Sequence, residues 1–384
     1  MTETTAVIPS PETDRRLMAA AIAYARRNLG ATWPNPSVGA LVVRFDDPAR
    51  PVVVGRGVTV AGGRGKPHAE REALRQAGDL ARGATLYVTL EPCSHYGTTP
   101  PCVEAVIAAG IARVVTAQDD PDSRVAGRGH EMLRKAGILV KAGVNAQAAE
   151  RGLIGHFTRM RRGRPYVTCK LAVSADDQIG RLDEGRVAIT GSDARGRVHV
   201  MRAEHDAILV GIRTALADDP DLTVRLPGLE HRSPVRVIFD SRARLPLDSR
   251  LVATARDVPV WLVATEAAPR HRIEGLRGAG VESLIVPAGA DGRLDPHHAL
   301  ATLAWKGITS ILLEGGATLA GDFLARDLVD ELAIFRSSTH IGDNGVAAPG
   351  LLAAIETGDS ERFHEISRHH VGTDRLKIFR RRQS

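Results

Sequence analysis

Cysteines and aromatic residues are scarce in this sequence, and long apolar runs are missing from it. Three cysteines in 384 residues are too few for a disulfide framework, so cysteines that lie close together indicate metal binding or catalysis. Charged residues or glycines interrupt every apolar run before the roughly 18 residues that a membrane helix needs. The first residues also lack the basic start and apolar block of a signal peptide. We therefore expect a cytoplasmic protein without membrane partners.

The scarcity of aromatic residues also bears on nucleic acid. At 4% of the chain, they offer few platforms on which bases could stack. The formal charge is +6, and the basic side chains are scattered apart from residues 159–164 and 380–382. A modest basic excess is compatible with nucleic acid, with phosphorylated small molecules or with neither. Because stacking platforms are few, we expect no nucleic acid as a binding partner. The oligomeric state stays open, a homo-oligomer included.

Strand-like and helix-like segments alternate along the chain, which predicts an α/β architecture. The length favours two domains. Residues 145–165 are predicted to form a helix that runs into a basic stretch with glycine and proline, and residues 148–164 are predicted to link the two domains. This places an N-terminal domain at residues 1–147 and a C-terminal domain at residues 165–384.

Two short stretches of the N-terminal domain contain residues that bind zinc in other proteins. His68 and Glu70 belong to an HAE sequence, and Cys93 and Cys102 flank a short loop. A catalytic zinc takes three protein ligands and leaves a position for water, which His68, Cys93 and Cys102 would satisfy. Glu70 would carry a proton from that water to a leaving amine. A structural zinc with His95 as fourth ligand, or no metal at all, are the alternatives.

The same stretches match part of the signature of zinc nucleobase deaminases, H-x-E followed by P-C-x-x-C. Cys93 fits the signature, but eight residues separate it from Cys102 instead of two. A deaminase of nucleic acid predicts the short spacing and a basic groove, and the sequence shows neither. A zinc-stabilised binding protein without turnover would have no need of Glu70. We expect Glu91, next to the loop, to be a scaffold residue.

The HAE and LEPCSHYGTTPPC sequences, with PNPSVGA at 34–40 and DDPDSRVAGRG at 119–129, closely resemble the bacterial bifunctional deaminase–reductases of riboflavin biosynthesis. The resemblance spans nearly the whole chain. It implies a cytidine-deaminase-like α/β/α domain followed by a dihydrofolate-reductase-like α/β domain. It further implies one Zn²⁺ per chain on His68, Cys93 and Cys102, with Glu70 as proton shuttle.

The resemblance also implies the substrate and the order of the reactions. The first domain would deaminate 2,5-diamino-6-(5-phosphoribosylamino)pyrimidin-4-one, and the second would reduce the ribosyl chain of the resulting uracil with NADPH. Asn35 matches a substrate contact in the first site. Thr98 replaces a residue that is commonly basic in the family, so Lys66 or Arg64 would have to supply the charge for the substrate phosphate.

In the C-terminal domain the resemblance assigns residues one by one. LEGGATLAGDFL, at 313–324, is a strand, a glycine turn and a helix, a geometry in which backbone N–H groups meet a phosphate. The implied cofactor positions are Ala172, Thr214, Asp218, Ser241, Gly316, Ala317, Thr318, Leu319, Ala320, Gly321 and Asp322. The implied substrate positions are Arg186, Arg202, Leu222, Arg225 and Glu314. Of these, Arg202 and Arg225 are expected to hold the ribose phosphate, because a phosphate needs bidentate, permanently charged donors.

Several residues of this half depart from the family. Asp177 stands where glycine is usual, and Arg186 and Ala188 replace a substrate serine and a cofactor-stacking tryptophan. Ala188 is therefore expected to raise the KM for NADPH, and a deaminase with an impaired reductase is the alternative function. Arg242 and Arg244 would either neutralise the 2′-phosphate of NADPH or be ordinary surface arginines.

Overall fold

The computed structural model of the protein describes residues 8–47, 50–122, 125–181 and 187–382. The chain divides into two compact units, Met1–Gly163 and Arg164–Ser384. Among the described residues, no helix is both long and apolar enough to cross a membrane.

The first unit contains a five-stranded sheet with helices packed against it. The strand order is β2-β1-β3-β4-β5, in which β3, β4 and β5 are parallel and β1 is antiparallel to both of its neighbours. One core cluster joins apolar side chains of the sheet to those of the helices. The strands are β1 (Gly39–Arg44), β2 (Val52–Val58), β3 (Thr85–Leu90), β4 (Arg113–Gln118) and β5 (Leu139–Lys141), and the helices are α1 (Pro11–Ala25), α2 (Ala69–Ala77), α3 (Cys102–Ala108), α4 (Arg128–Lys135) and α5 (Ala146–Arg162).

The helix predicted at residues 145–165 is present as α5, and almost all of the predicted linker, residues 148–164, lies in it. This segment is part of the first unit rather than a connection outside it. Leu153 and Phe157 of α5 are buried in the core of the first unit. The basic residues that suggested a linker lie near the end of this helix, where cations interact favourably with the helix dipole. The division between the units falls after Gly163, which caps α5 in the left-handed conformation.

The second unit is built on a nine-stranded sheet of order β11-β10-β9-β8-β12-β6-β13-β16-β15, in which only β16 runs antiparallel to its neighbours. A two-stranded sheet pairs β7 with β14. The strands are β6 (Tyr166–Val173), β7 (Gln178–Arg181), β8 (Ala207–Gly211), β9 (Val235–Phe239), β10 (Val260–Thr265), β11 (Glu282–Val286), β12 (Ser310–Leu313), β13 (Glu331–Arg336), β14 (Gly345–Ala347), β15 (Phe363–Val371) and β16 (Asp374–Arg381). The helices are α6 (Ser192–Ala203), α7 (Ile212–Asp218), α8 (Arg250–Ala253), α9 (Arg270–Gly278), α10 (Pro296–Lys306), α11 (Ala317–Ala325) and α12 (Leu351–Thr357).

A buried ion-pair cluster ties α1 of the first unit to its sheet. The Asp14 carboxylate, fully buried, accepts hydrogen bonds from Arg113 at 2.7 and 2.9 Å, from Lys141 at 2.8 Å and from the Tyr87 hydroxyl at 2.7 Å. Burial alone would raise the pKa of Asp14, but these donors outweigh it and lower the pKa to about 2. Asp14 is therefore ionised in the folded protein throughout the neutral range.

We expect Asp14→Asn to lower the free energy of unfolding by about 3 kcal/mol at pH 7, because Arg113 would stay buried without its charged partner. A carboxyl group whose pKa is depressed on folding stabilises the protein above its unfolded pKa, and this contribution fades as the pH falls towards the folded value. The difference between wild type and variant should therefore shrink below about pH 4. Urea denaturation at pH 7 and pH 3 measures it. An equal difference at both pH values would contradict the account.

Candidate active sites

The first candidate site begins at the start of α2. His68 is the residue before the helix, with an extended backbone (φ −77°, ψ 163°), and Glu70 is buried in the first turn. Strand β2 passes close to this turn at Gly57, where a Cβ atom would come within 2.0 Å of the Ala69 carbonyl oxygen. The glycine therefore lets α2 lie directly on the sheet, which fixes the position of His68 and Glu70.

The two cysteines reach the same place from neighbouring elements. Cys93 follows β3 and Cys102 is the first residue of α3. His68 Nδ1 lies 3.6 Å from Cys93 Sγ and 3.4 Å from Cys102 Sγ, and the Cys102 N–H donates to Cys93 Sγ at 3.2 Å. The three potential ligand atoms all lie within 4.8 Å of one another.

These distances fit a tetrahedral zinc ion. Zinc bonds of about 2.3 Å to sulfur and 2.0–2.1 Å to nitrogen place neighbouring S and N ligands about 3.6 Å apart at the tetrahedral angle. Among the described residues this cluster has three ligand atoms, and His95 is not one of them. A cluster of three ligands agrees with a catalytic zinc rather than a four-ligand structural zinc.

One of the two thiols is favoured as a thiolate, because the hydrogen bond between the cysteines lowers the pKa of Cys93 and raises that of Cys102. Hydrogen bonds with Cys102 and then His68 outweigh burial and lower the pKa of the Cys93 thiol to about 4. The thiolate is the form that binds zinc. Burial raises the pKa of Glu70, which moves this carboxyl towards the range in which it can both accept and release a proton near neutral pH.

A cavity of about 340 Å³ opens over this cluster. Asn35 lines it and donates a hydrogen bond from Nδ2 to the Gly63 carbonyl oxygen at 3.4 Å. The residues named for phosphate recognition, Arg64 and Lys66, line the same cavity, as does Thr98. The structure thus brings together the predicted ligands, proton carrier and substrate contact of the first site.

Glu91 lies beside the cavity but serves the backbone. Its buried carboxylate accepts the N–H groups of Gly127 and Gly129 at 2.9 Å, and those of Asp120 and His130 at 3.3 Å. Four backbone donors occupy both oxygens, so the structure supports the scaffolding role that we expected of Glu91.

A cavity of about 1060 Å³ lies at the start of α11 in the second unit. Gly315 and Gly316 form the turn that precedes the helix, and a Cβ atom on Gly315 would lie 3.1 Å from Leu319. The turn exposes the first backbone N–H groups of α11. Arginines surround this end of the cavity, namely Arg181, Arg213, Arg242, Arg244, Arg293 and Arg326. Backbone N–H groups and arginines together suit a ligand with several phosphates.

A second cavity, about 760 Å³, shares Thr214, Asp218 and Gly316 with the first. Its wall contains a buried ion pair, in which Arg202 Nε lies 2.7 Å from Glu314 Oε1 and Arg202 Nη2 lies 3.0 Å from Glu314 Oε2. Burial alone would raise the pKa of Glu314, but Arg202 outweighs it and lowers the pKa to about 2. Because they share three lining residues, the two cavities are adjacent. A cofactor and a substrate that react with each other require such an arrangement.

Comparisons with known proteins agree on both units. The family model "Cytidine and deoxycytidylate deaminase zinc-binding region" matches residues 11–118, and the model "RibD C-terminal domain" matches residues 165–364. The riboflavin biosynthesis protein RibD of Escherichia coli is 38% identical, over 94% of this chain and 97% of its own length. The RibD protein of Bacillus amyloliquefaciens is 40% identical, over 88% and 87% of the two chains.

The chain belongs to the RibD family.

Solved structures show the same fold. Acinetobacter baumannii RibD superimposes with a TM-score of 0.84 at 35% identity, covering 97% of this chain and all of that one. A Thermotoga maritima diaminohydroxyphosphoribosylaminopyrimidine deaminase/5-amino-6-(5-phosphoribosylamino)uracil reductase gives 0.80 at 32% identity, covering 97% and 99%. The predicted fold class, a deaminase-like α/β domain followed by a reductase α/β domain, is confirmed.

Most of the RibD cofactor and substrate positions predicted in the second unit line the two cavities. The exceptions in the turn are Ala320, which is fully buried, and Gly321; neither lines a cavity. Arg186 lies outside the described residues. Asp177 has φ 59°, in the left-handed region that favours the glycine usual at this position in the RibD family. The predicted cofactor positions on the walls are Ala172, Thr214, Asp218, Ser241, Gly316, Ala317, Thr318, Leu319 and Asp322, and the predicted substrate positions are Arg202, Leu222, Arg225 and Glu314.

Sequence reasoning did not single out several residues that line these cavities. Lys170 and His199 line the cavity of Glu314, and Lys170 Nζ lies 4.0 Å from Glu314 Oε2. Asp120 and His156 line the cavity of the first unit. Lys170 lies on a strand that alternates buried apolar residues with partly exposed ones, which is a usable signal. His156 gives no such signal, because the composition of its segment predicts a linker.

Proposed function

We propose that this RibD protein catalyses two consecutive steps of riboflavin biosynthesis. The first site would remove the 2-amino group of the phosphoribosylated diaminopyrimidine as ammonia. The second would reduce the ribosyl chain of the uracil product to ribityl with NADPH. The observation that carries the proposal is the three-ligand cluster His68, Cys93 and Cys102 with the buried Glu70 beside it.

In the first reaction, water adds to the ring carbon that bears the amino group, and the C–N bond then breaks to release ammonia. Zinc, held by His68, Cys93 and Cys102, would lower the pKa of a water molecule towards about 7. Glu70 takes the proton that the water loses and returns it to the departing nitrogen. Its burial favours the neutral carboxylic acid after that first transfer. Asn35 would orient the ring, since its amide can both donate and accept hydrogen bonds.

In the second reaction, the ribose ring opens at the bond between its ring oxygen and the carbon bound to nitrogen. That carbon gains a hydride, and the ring oxygen gains a proton. NADPH would supply the hydride and leave as NADP⁺. The start of α11 and the surrounding arginines would hold its phosphates. Arg242 and Arg244 line this cavity and are partly exposed cations suited to the 2′-phosphate. Thr214 and Asp218, which line both cavities, would lie where cofactor and substrate meet.

The Arg202–Glu314 pair revises the role expected of Arg202. Both side chains are about 90% buried, and the third contact of the guanidinium goes to the Thr223 carbonyl oxygen at 3.0 Å. Arg202 therefore holds Glu314 ionised and in place at the substrate cavity. Arg225, half exposed and 3.3 Å from Asp221, is the more accessible cation for the substrate phosphate.

We expect Arg202→Ala to lower the kcat/KM of reduction by about 10- to 150-fold, because Glu314 loses a charged hydrogen-bonded partner. Ammonia release from the first substrate should stay at the wild-type rate. Loss of the arginine also raises the pKa of Glu314, so the remaining reductase activity should become more sensitive to acid than that of wild type. Separate assays of the two reactions over a range of pH measure this. Loss of ammonia release in a folded variant would contradict two independent sites.

The proposal as a whole is tested by ammonia release from the phosphoribosylated diaminopyrimidine, with zinc measured in the same preparation. Zinc at about one ion per chain and ammonia release support it. A zinc-loaded protein that releases no ammonia would contradict the proposed function.

A further inference from the structure

One segment of the chain lies between the two regions that match known families. These regions cover residues 11–118 and 165–364, and residues 119–164 belong to neither. The segment nevertheless forms part of the wall of the zinc cavity. Asp120 lies just after β4, and His156 and Arg159 lie on α5. The cavity is thus closed on one side by residues that follow the deaminase family region.

Asp120 and His156 form a buried pair in this wall, each with 9% of its surface exposed. His156 Nε2 lies 3.1 Å from Asp120 Oδ1, and the backbone N–H of Asp122 donates to the same oxygen at 2.9 Å. Within the described parts of the chain, Asp120 Oδ2 has no hydrogen-bond donor, and His156 Nδ1 is buried without a partner. The protein therefore fixes one oxygen of the carboxylate and leaves the other able to accept a hydrogen bond from a ligand.

The extent of the family match indicates which part of the ligand would donate this hydrogen bond to Asp120 Oδ2. Cytidine and deoxycytidylate share a pyrimidine ring and differ in the sugar and the phosphate. The region common to deaminases of both contains His68, Glu70, Cys93 and Asn35, which line the cavity and to which the proposed function assigns the reacting ring. Residues that follow this region are free to contact the parts that differ. Between these parts, a carboxylate repels a phosphate and accepts hydrogen bonds from sugar hydroxyls.

We propose that Asp120 Oδ2 accepts a hydrogen bond from a ribose hydroxyl of the deaminase substrate, and that His156 is the positioning residue that holds the carboxylate for it. The inference rests on the proposed function of the first site. It leaves the phosphate to the cations that line the same cavity, Arg64, Lys66 and Arg159. Helix α5 then supplies the residue that holds the ribose-binding carboxylate in this site.

The test compares the natural substrate with its 2-deoxyribosyl analogue in ammonia-release assays. The wild-type protein should have a KM about tenfold higher for the analogue, the loss expected for one hydrogen bond to a charged acceptor. His156→Phe keeps a ring of similar size without a donor, and it should raise the KM for the natural substrate about tenfold with little change in kcat. His156→Gln keeps an N–H donor and should restore most of the lost affinity. The analogue should show a similarly high KM with all three proteins.

The reduction of the deaminated substrate by NADPH, measured on the same preparations, serves as the control for folding. If His156→Phe loses zinc or does not fold, Asp120→Asn takes its place, because it keeps the size of the side chain and removes the charge of the acceptor. The inference would be overturned if the wild-type protein had the same KM for both substrates. It would also be overturned if the folded variant kept the wild-type difference in KM between them. A wild-type protein that releases ammonia from neither substrate would instead overturn the proposed function.

Discussion

Replacing Glu70 by glutamine is expected to leave zinc bound and to slow deamination by ~10²–10⁴-fold, the usual contribution of a general acid–base group. Glutamine has the size of glutamate and can still hydrogen-bond to water, but it cannot take up and return a proton. Glu70 is not one of the three clustered ligands, so the metal content should not change. Ammonia release and zinc content, measured on one preparation, separate the two effects.

Glu72→Gln is the matched control on the same helix. Glu72 pairs with Arg75 at 2.9 Å near the surface, and such a pair contributes only about 0–1 kcal/mol to stability. The control should keep wild-type activity. Near-normal turnover of Glu70→Gln would show that this carboxylate is structural.

Replacing Cys93 by serine is expected to remove zinc and deamination together. The low pKa of Cys93 makes it a ready thiolate ligand, whereas a serine hydroxyl stays protonated and binds zinc weakly. The remaining two ligands, His68 and Cys102, would not complete a catalytic site. Metal analysis of the purified variant should fall from about one zinc per chain to near zero.

Cys169→Ala is the control for this experiment. Cys169 is buried in β6 of the second unit, and burial raises the pKa of its thiol to about 12. It should therefore keep both zinc and ammonia release. Full zinc occupancy of Cys93→Ser would contradict the assignment of the ligands.

The residues predicted for the first site lie together in the structure because each of them is at the end of a regular element. His68 precedes a helix, Cys93 follows a strand and Cys102 begins a helix, so the alternation of elements places all three at one edge of the sheet. Asp120 follows the neighbouring parallel strand and belongs to the same edge. His156 could not be found this way, because its position depends on how α5 packs against the first unit. The basic residues of this segment do not indicate how α5 packs.

The second site shows a different limit. Arg202 and Glu314 are 112 residues apart, and their pairing depends on the order of the strands in the nine-stranded sheet. From the sequence, an arginine at a substrate position suggested a direct contact with phosphate. The structure shows that its charge is satisfied by a carboxylate inside the protein. The sequence predicted a positive charge at this position. Whether that charge pairs with a group of the protein or with a group of the ligand could be decided only from the tertiary fold.

The most direct test of two reactions on one chain is a single incubation with the phosphoribosylated diaminopyrimidine. Ammonia and the absorbance of NADPH are measured during this incubation. Without NADPH, the account predicts ammonia release at the full rate and no further change. With NADPH, its oxidation should begin after a lag and approach one equivalent per ammonia released, and Glu70→Gln should oxidise NADPH only when given the deaminated product. Oxidation of NADPH by Glu70→Gln with the unreacted diaminopyrimidine, or no ammonia from zinc-loaded wild type, would contradict it.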